Sequence, residues 1–224
     1  MFGSRSTTGV ALCALLAPFA LGSCVADSVS LRITCNVVPE GDCTYTGGNT
    51  CYLVGGLNLA QIAPYYAVLQ VTNGLKARER DVPPQSEPNG VTIDEVEVEI
   101  TDSAGQKPAL GSLPNPFTVQ ATGYAEPDSD ALVGAELVPG AYVSVIRSLA
   151  MSGRLSSIRL SVIARGETDG RVEVETAPWP WNIRLYNVSA DPASGQCLAL
   201  EDSVCTLGQD QWVDACDPAK LESN

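Results

Sequence analysis

Histidine is absent from this chain. It is the one side chain whose unperturbed pKa lies near neutrality, and it serves as the base that activates many serine and cysteine nucleophiles. Its absence excludes a Ser-His-Asp triad, a Cys-His pair and any histidine metal ligand. The sequence also lacks Gly-x-Ser-x-Gly, Ser-x-x-Lys and a glycine loop that could cradle phosphate. We therefore predict that the protein is not an enzyme and that it uses no cofactor.

Positive charge is scarce. The chain has 13 Lys and Arg residues against 26 Asp and Glu residues, a formal net charge of −13. Such a surface repels nucleic acid and anionic membrane faces. Nucleic acid is therefore not expected as a partner.

Long hydrophobic runs are missing as well. The apolar stretch Val10–Gly22 is shorter than the roughly 20 residues that a transmembrane helix needs. It follows the positive Arg5 and runs into the sequence Leu-Gly-Ser-Cys at 21–24. That layout is typical of a bacterial signal peptide whose cysteine becomes lipidated.

The predicted anchor defines the localisation of the protein. We interpret residues 1–23 as the signal peptide and Cys24 as the lipid-bearing first residue of the mature chain. The protein would then be held at the cell envelope through its lipid, most simply as an outer membrane lipoprotein that faces the periplasm or the surface. Secretory cleavage after Ala26 is the alternative.

The cysteines support export. Of the eight, Cys13 would leave with the signal peptide and Cys24 would carry lipid. An even set in an exported chain predicts three disulfides, although six cysteines permit 15 pairings. There is no Cys-x-x-Cys, so no metal site is predicted. The six cysteines predicted to pair are Cys35, Cys43, Cys51, Cys197, Cys205 and Cys216.

The chain between the two cysteine groups has the pattern of β-structure. In Val91–Thr101 valine and isoleucine alternate with acidic residues, and a change of parity predicts a bulge near Asp94. Thr168-Asp169-Gly170 predicts a hairpin turn, and Arg147–Arg154 is the one candidate helix. The predicted strands are Ser28–Thr34, Tyr65–Thr72, Val91–Thr101, Phe117–Thr122, Tyr142–Ile146, Ile158–Ala164, Val172–Thr176 and Trp181–Val188.

About eight such strands predict an all-β fold. We expect an antiparallel β-sandwich, immunoglobulin-like in a loose sense, with a small barrel as the alternative. The sandwich would span residues 52–190. A cysteine-containing N-terminal segment (24–51) and a cysteine-containing C-terminal tail (191–224) would be tied to it by disulfides.

Acidic and aromatic side chains are the remaining candidates for chemistry. Glu95, Glu97 and Glu99 share one strand face and could act in glycoside hydrolysis, which needs two carboxyl groups, or simply form a solvated face. Trp179 and Trp181 could form a binding surface for sugar rings or could pack in the core. Two aspartate groups, Asp128 with Asp130 and Asp210 with Asp214 and Asp217, are candidates for calcium, although neither matches the EF-hand pattern.

Three stretches of the chain resemble a group of uncharacterised predicted lipoproteins of Gram-negative bacteria. They are Tyr66–Asn73, Val91–Gly105 and the tail sequence Cys-x-x-Gly-Gln-Asp that begins at Cys205. The resemblance implies export and a β domain with a cysteine-bearing tail, and it implies no activity. Together these observations predict a non-catalytic, lipid-anchored envelope protein that binds an envelope protein or glycan. A carboxylate-dependent glycan-active enzyme and a calcium- or carbohydrate-binding module are the alternatives.

Overall fold

The structure, a computed structural model, describes residues 30–40, 43–48, 50–77, 88–187 and 209–210. The signal segment, Cys24 and the tail cysteines Cys197, Cys205 and Cys216 lie outside these residues. The described elements are β1 Leu31–Asn36, β2 Gly55–Asn58, β3 Tyr65–Asn73, β4 Val91–Asp102, β5 Phe117–Ala125, β6 Ser129–Val138, α1 Gly140–Met151, β7 Ser157–Thr168, β8 Glu173–Glu175 and β9 Trp179–Tyr186.

The strands form one continuous curled sheet. Their order is β1-β3-β6-β5-β4-β7-β9-β2, and β8 pairs with β7 beside this path. All pairs are antiparallel except β2 with β9, so the sheet is mixed. A bridge between Leu31 and Thr176 brings the first strand near the segment that follows β8, which gives the sheet the shape of a half-barrel. The all-β prediction is therefore confirmed, whereas two packed antiparallel sheets of immunoglobulin type are not confirmed.

The alternation predicted for β4 determines how this strand contributes to the core. Val96, Val98 and Ile100 are fully buried, while the glutamates between them lie on the opposite face and are partly exposed. The register of β4 shifts between Ile93 and Glu95 against both neighbouring strands, which confirms the predicted bulge. The hairpin at 168–170 is also confirmed, because β7 and β8 pair antiparallel across it.

The strand predicted at Tyr142–Ile146 is wrong, because these residues belong to helix α1. Its buried residues Tyr142, Val143 and Ile146 follow helical spacing, so they lie on one face of a helix and pack on the sheet. The Tyr142 ring stacks on Phe117 with the ring centroids 4.1 Å apart. Gly153, with a φ of 75°, ends the helix by donating its N–H to the Ala150 carbonyl. Among the described residues no helix is long and apolar enough to cross a membrane.

Candidate functional site

Two of the cysteine predictions can be examined within the described residues. Cys35 and Cys51 form a disulfide with their Cα atoms 5.7 Å apart. Cys43 is also disulfide-bonded. Because the other two described cysteines pair with each other, the partner of Cys43 lies outside the described part of the chain.

The most distinctive site is the docking of two C-terminal residues, Gln209 and Asp210, which we call the tail pair. Gln209 forms an antiparallel bridge with Leu57 of β2 and is almost fully buried. Its side-chain amide also pairs with the backbone of Tyr66 at the start of β3. The Gln209 oxygen accepts from the Tyr66 N–H at 2.7 Å, and the Gln209 amide donates to the Tyr66 carbonyl at 2.5 Å. One glutamine therefore links β2 with β3, which are not neighbours in the sheet.

Asp210 continues this contact along β2. Its backbone N–H donates to the Gly56 carbonyl, and its carboxylate accepts from the Gly56 N–H, both at 2.8 Å. The Tyr65 hydroxyl donates to the same carboxylate, with distances of 3.0 and 3.1 Å to its two oxygens. The carboxylate is thus enclosed between the edge of β2 and an aromatic side chain.

The Tyr65 hydroxyl is the centre of a buried polar network. It accepts from the Trp181 indole N–H at 3.1 Å and from the Asn36 amide at 3.3 Å, while it donates to Asp210. Gly55 leaves space for this network, because a Cβ at position 55 would lie 2.6 Å from the hydroxyl. The cluster therefore joins β1, β2, β3, β9 and the tail pair.

Burial changes the acidity of this cluster. Burial raises the pKa of Asp210 from its ordinary 3.8 to about 6, although hydrogen bonds from Gly56, Tyr65 and Gln209 favour the charged form. Burial also raises the pKa of Tyr65 well above its ordinary value, and the neighbouring Asp210 carboxylate adds to the rise. Burial and the same carboxylate raise the pKa of Tyr52 to about 12. The site therefore holds one carboxyl group that titrates near neutrality among tyrosines that stay neutral.

A carboxyl group with this pKa could donate or accept a proton near neutral pH. In this structure, however, its oxygens already accept hydrogen bonds from the Gly56 N–H and the Tyr65 hydroxyl of the same chain. The geometry is that of a structural contact that fastens the tail. The sequence grouped Asp210 with Asp214 and Asp217 as a calcium candidate; the last two lie outside the described residues. In the described ranges no group of three or more Cys, Asp or Glu residues could hold a metal ion.

The two candidate tryptophans stack on each other. Their ring centroids are 5.2 Å apart and the ring planes differ by 11°. Trp181 is buried and bonded to Tyr65, whereas Trp179 is only partly buried. This arrangement favours the packing alternative for Trp181 and leaves only the Trp179 ring available at the surface.

The glutamates of β4 lie outside the core and are engaged with basic residues. Glu97 pairs with Arg165 at 2.9 Å, and Glu99 pairs with Lys107 at 3.0 Å. Arg165 also pairs with Glu175 on β8. An open acidic groove of about 620 Å³ lies beside them and is lined by Asp94, Glu95, Arg165, Glu167, Glu173 and Glu175, among others.

The second aspartate group lies at the start of β6. Asp128 pairs with Lys76 at 2.6 Å. Asp130 accepts from the Gln70 amide and the Thr72 hydroxyl at 2.8 and 2.6 Å. Both carboxylates thus bind neighbouring side chains of the protein.

Comparison of the chain with protein-family models, with curated proteins and with solved structures gives no match in any of the three. The site is therefore interpreted from its own geometry.

Proposed function

We propose that the protein is an exported, lipid-anchored and non-catalytic component of a bacterial cell envelope. The observation that supports export most directly is the Cys35–Cys51 disulfide, together with the second disulfide formed by Cys43. Disulfides persist in oxidising compartments and are rare in the cytosol. The Leu-Gly-Ser-Cys sequence and the resemblance to predicted lipoproteins support the proposal that Cys24 carries a lipid and that the protein lies at the outer membrane.

In this proposal the β domain is a rigid scaffold. The disulfides, the tail pair and the buried Tyr65 network tie both ends of the described chain to the sheet. The sandwich belongs to the proposal only: β5 and β6 share just the pairs Ala121–Ala135 and Thr122–Gly134, and at this junction the one sheet would divide into two halves. Such a scaffold can present loops for recognition of an envelope protein or glycan. Trp179 and the segment at 74–90, of which residues 78–87 lie outside the described residues, are the proposed contact surface.

The test of the anchor is metabolic labelling with a fatty-acid analogue in a Gram-negative host. The wild-type protein should incorporate label and fractionate with the outer membrane, while Cys24→Ser should lose the label. Cys13→Ser is the matched control, because this cysteine precedes the cleavage site and should leave labelling unchanged. Equal labelling of Cys24→Ser and wild type would refute the anchor.

A carboxylate-dependent enzyme is the second candidate, and the acidic groove is the observation that favours it. Glycoside hydrolysis needs two carboxyl groups that flank one bond. A hydrolysis screen against envelope glycans should find no turnover by the purified protein. Turnover that is lost in Glu95→Gln, a groove residue, and kept in Glu99→Gln would overturn the non-catalytic proposal.

A further inference from the structure

A second groove carries the opposite charge. Its volume is about 270 Å³, and it lies on the outward side of β7 and β9. Its polar lining residues are two serines, one asparagine and two arginines, all of which carry hydrogen-bond donors; Val54, Ile158 and Ile183 make up the apolar part, and no acidic residue contributes in the described part of the chain. The lining includes Arg159, Arg184, Ser157, Asn182, Ser103 and Val54.

The strand register explains why the two arginines share this groove. Ser157 pairs with Arg184 and Arg159 pairs with Asn182 across β7 and β9. Residues two apart on a strand point to the same face, so all four side chains lie on the side opposite the buried Ile158 and Ile183. Arg159 and Arg184 are diagonal neighbours, a spacing within reach of two long side chains.

Another arginine of β7 is neutralised by acidic neighbours, whereas within the described residues Arg159 and Arg184 have no acidic partner. Arg165 pairs with both Glu97 and Glu175. Arg159, by contrast, donates from Nε to the Asn182 amide oxygen at 3.1 Å, and neither it nor Arg184 forms an ion pair within the described residues. Because the Asn182 oxygen is occupied, its amide N–H groups stay available as donors. The groove therefore offers two guanidinium groups, an amide and two hydroxyls to a ligand.

We propose that this two-arginine groove binds a tetrahedral oxyanion, the phosphate or sulfate group of a small molecule, a glycan or a lipid head. Guanidinium groups bind such anions through paired N–H donors, and charge-assisted hydrogen bonds are the stronger ones. A phosphate or sulfate group has more acceptor oxygens than a carboxylate and so can use more of these donors. The inference depends on the groove alone and holds whether or not the chain carries a lipid.

The binding test is a titration of the purified full chain by NMR or calorimetry at low ionic strength. Inorganic phosphate, sulfate and acetate are compared, followed by vesicles that contain phosphatidylglycerol or phosphatidylcholine alone. Phosphate or sulfate should saturate with a Kd of about 1 mM or tighter, and affinity should fall as sodium chloride is added. Binding to phosphatidylglycerol vesicles would identify a lipid head as the source, and binding of the free anions alone would identify a soluble or glycan-borne group.

The variants locate the binding to the groove. Arg159→Gln and Arg184→Gln should each weaken phosphate binding about tenfold, in line with the loss of a charge-assisted bond. Arg165→Gln removes the same charge from the same strand and should leave phosphate affinity unchanged. Both groove arginines are exposed, so these variants should keep the wild-type unfolding transition. The proposal is overturned if no anion saturates, if acetate binds more tightly than phosphate, or if Arg165→Gln weakens binding as much as the groove variants.

Discussion

The docking of the tail pair should depend on pH because Asp210 titrates within a buried contact. Burial raises the pKa of this carboxyl group to about 6 in the folded protein, whereas its ordinary value is 3.8. The native state therefore holds the proton over a range of pH in which the unfolded chain has lost it. A raised carboxyl pKa means that its contribution to stability is complete below about pH 4 and is lost as the pH rises through about 6.

The size of the effect follows from the two pKa values. Each pKa unit corresponds to about 1.4 kcal/mol, so the shift from 3.8 to about 6 amounts to about 3 kcal/mol at most. The tyrosines that face the carboxylate, Tyr65, Tyr52 and Tyr45, all have raised pKa values and stay neutral over this range. Asp210 is therefore the group within this cluster that titrates between about pH 4 and about pH 7.

Asp210→Asn isolates this contribution. The asparagine oxygen can still accept from the Gly56 N–H and the Tyr65 hydroxyl, but it cannot ionise. The assay is urea unfolding followed by tryptophan fluorescence at several values between about pH 4 and about pH 7. The free energy of unfolding of the wild type should fall by about 3 kcal/mol more than that of Asp210→Asn as the pH rises.

The loss of one negative charge could change stability by itself, so a second asparagine variant is needed as the control. Asp94→Asn makes the same chemical change at an exposed position in the β4 bulge and should reproduce the wild-type profile. If the wild type and Asp210→Asn show parallel pH profiles, or if Asp94→Asn flattens the profile equally, the assignment to the buried carboxyl group is wrong.

Three other variants and one control test what stabilises the fold, each measured by urea unfolding. Tyr65→Phe leaves two buried donors without their acceptor and should cost about 1–3 kcal/mol at low pH, and more above about pH 6, where it also removes a donor to the ionised Asp210; an effect that disappears at high pH would contradict this. Replacing both Cys35 and Cys51 by alanine opens a loop of 16 residues and should cost about 3 kcal/mol in the chain-entropy model, and no loss would show that the disulfide does not constrain the unfolded chain. Gly166→Ala places a Cβ against the backbone of β4 and should cost about 1–3 kcal/mol, whereas Gly140→Ala meets open space at the start of α1 and should cost nothing.

The strands that could be predicted from the sequence are those whose side chains alternate strongly. In β4 the valines and glutamates alternate at the period of a strand, and the change of parity at Asp94 appears in the structure as a bulge. β6 alternates too, since Ala131, Val133, Ala135 and Leu137 are buried, but alanine and glycine favour strands weakly and conceal the pattern.

Other elements were mispredicted because local sequence is ambiguous. The short apolar run Tyr142–Ile146 fits a strand by composition, yet Tyr142, Val143 and Ile146 also fit one face of a helix. β2 begins with Gly55 and Gly56, and no strand is predicted there because glycine is depleted in strands. Their small size is required there because the Tyr65 hydroxyl and the Trp181 indole occupy the space beside Gly55.

The tail site could not be predicted because its partners are far apart in sequence. Asp210 contacts Gly56 and Tyr65 across separations of 154 and 145 residues, and no local pattern links them. The one feature that bears on the contact is the even set of six cysteines, which predicts that disulfides tie the cysteine-containing tail to the domain without choosing among the pairings.

A disulfide from Cys43 to a cysteine of the tail would explain how a contact of only two residues can persist. Because β2 already pairs with β9, docking of the tail pair closes only the segment between Tyr186 and Gln209, about 22 residues. This closure costs about 3 kcal/mol of chain entropy, and an ionised Asp210 adds up to about 3 kcal/mol near neutral pH. The backbone and side-chain hydrogen bonds of the tail pair contribute roughly 1 kcal/mol each. Their sum does not clearly exceed the entropy of loop closure and the cost of the ionised Asp210 taken together. A disulfide at Cys43 to a cysteine outside the described residues reduces the entropy cost if that partner lies in the tail. With the tail held close by such a disulfide, the small free energy of the tail-pair contacts decides whether the tail stays docked. The free energy linked to protonation of Asp210, about 3 kcal/mol, is large enough to shift that balance.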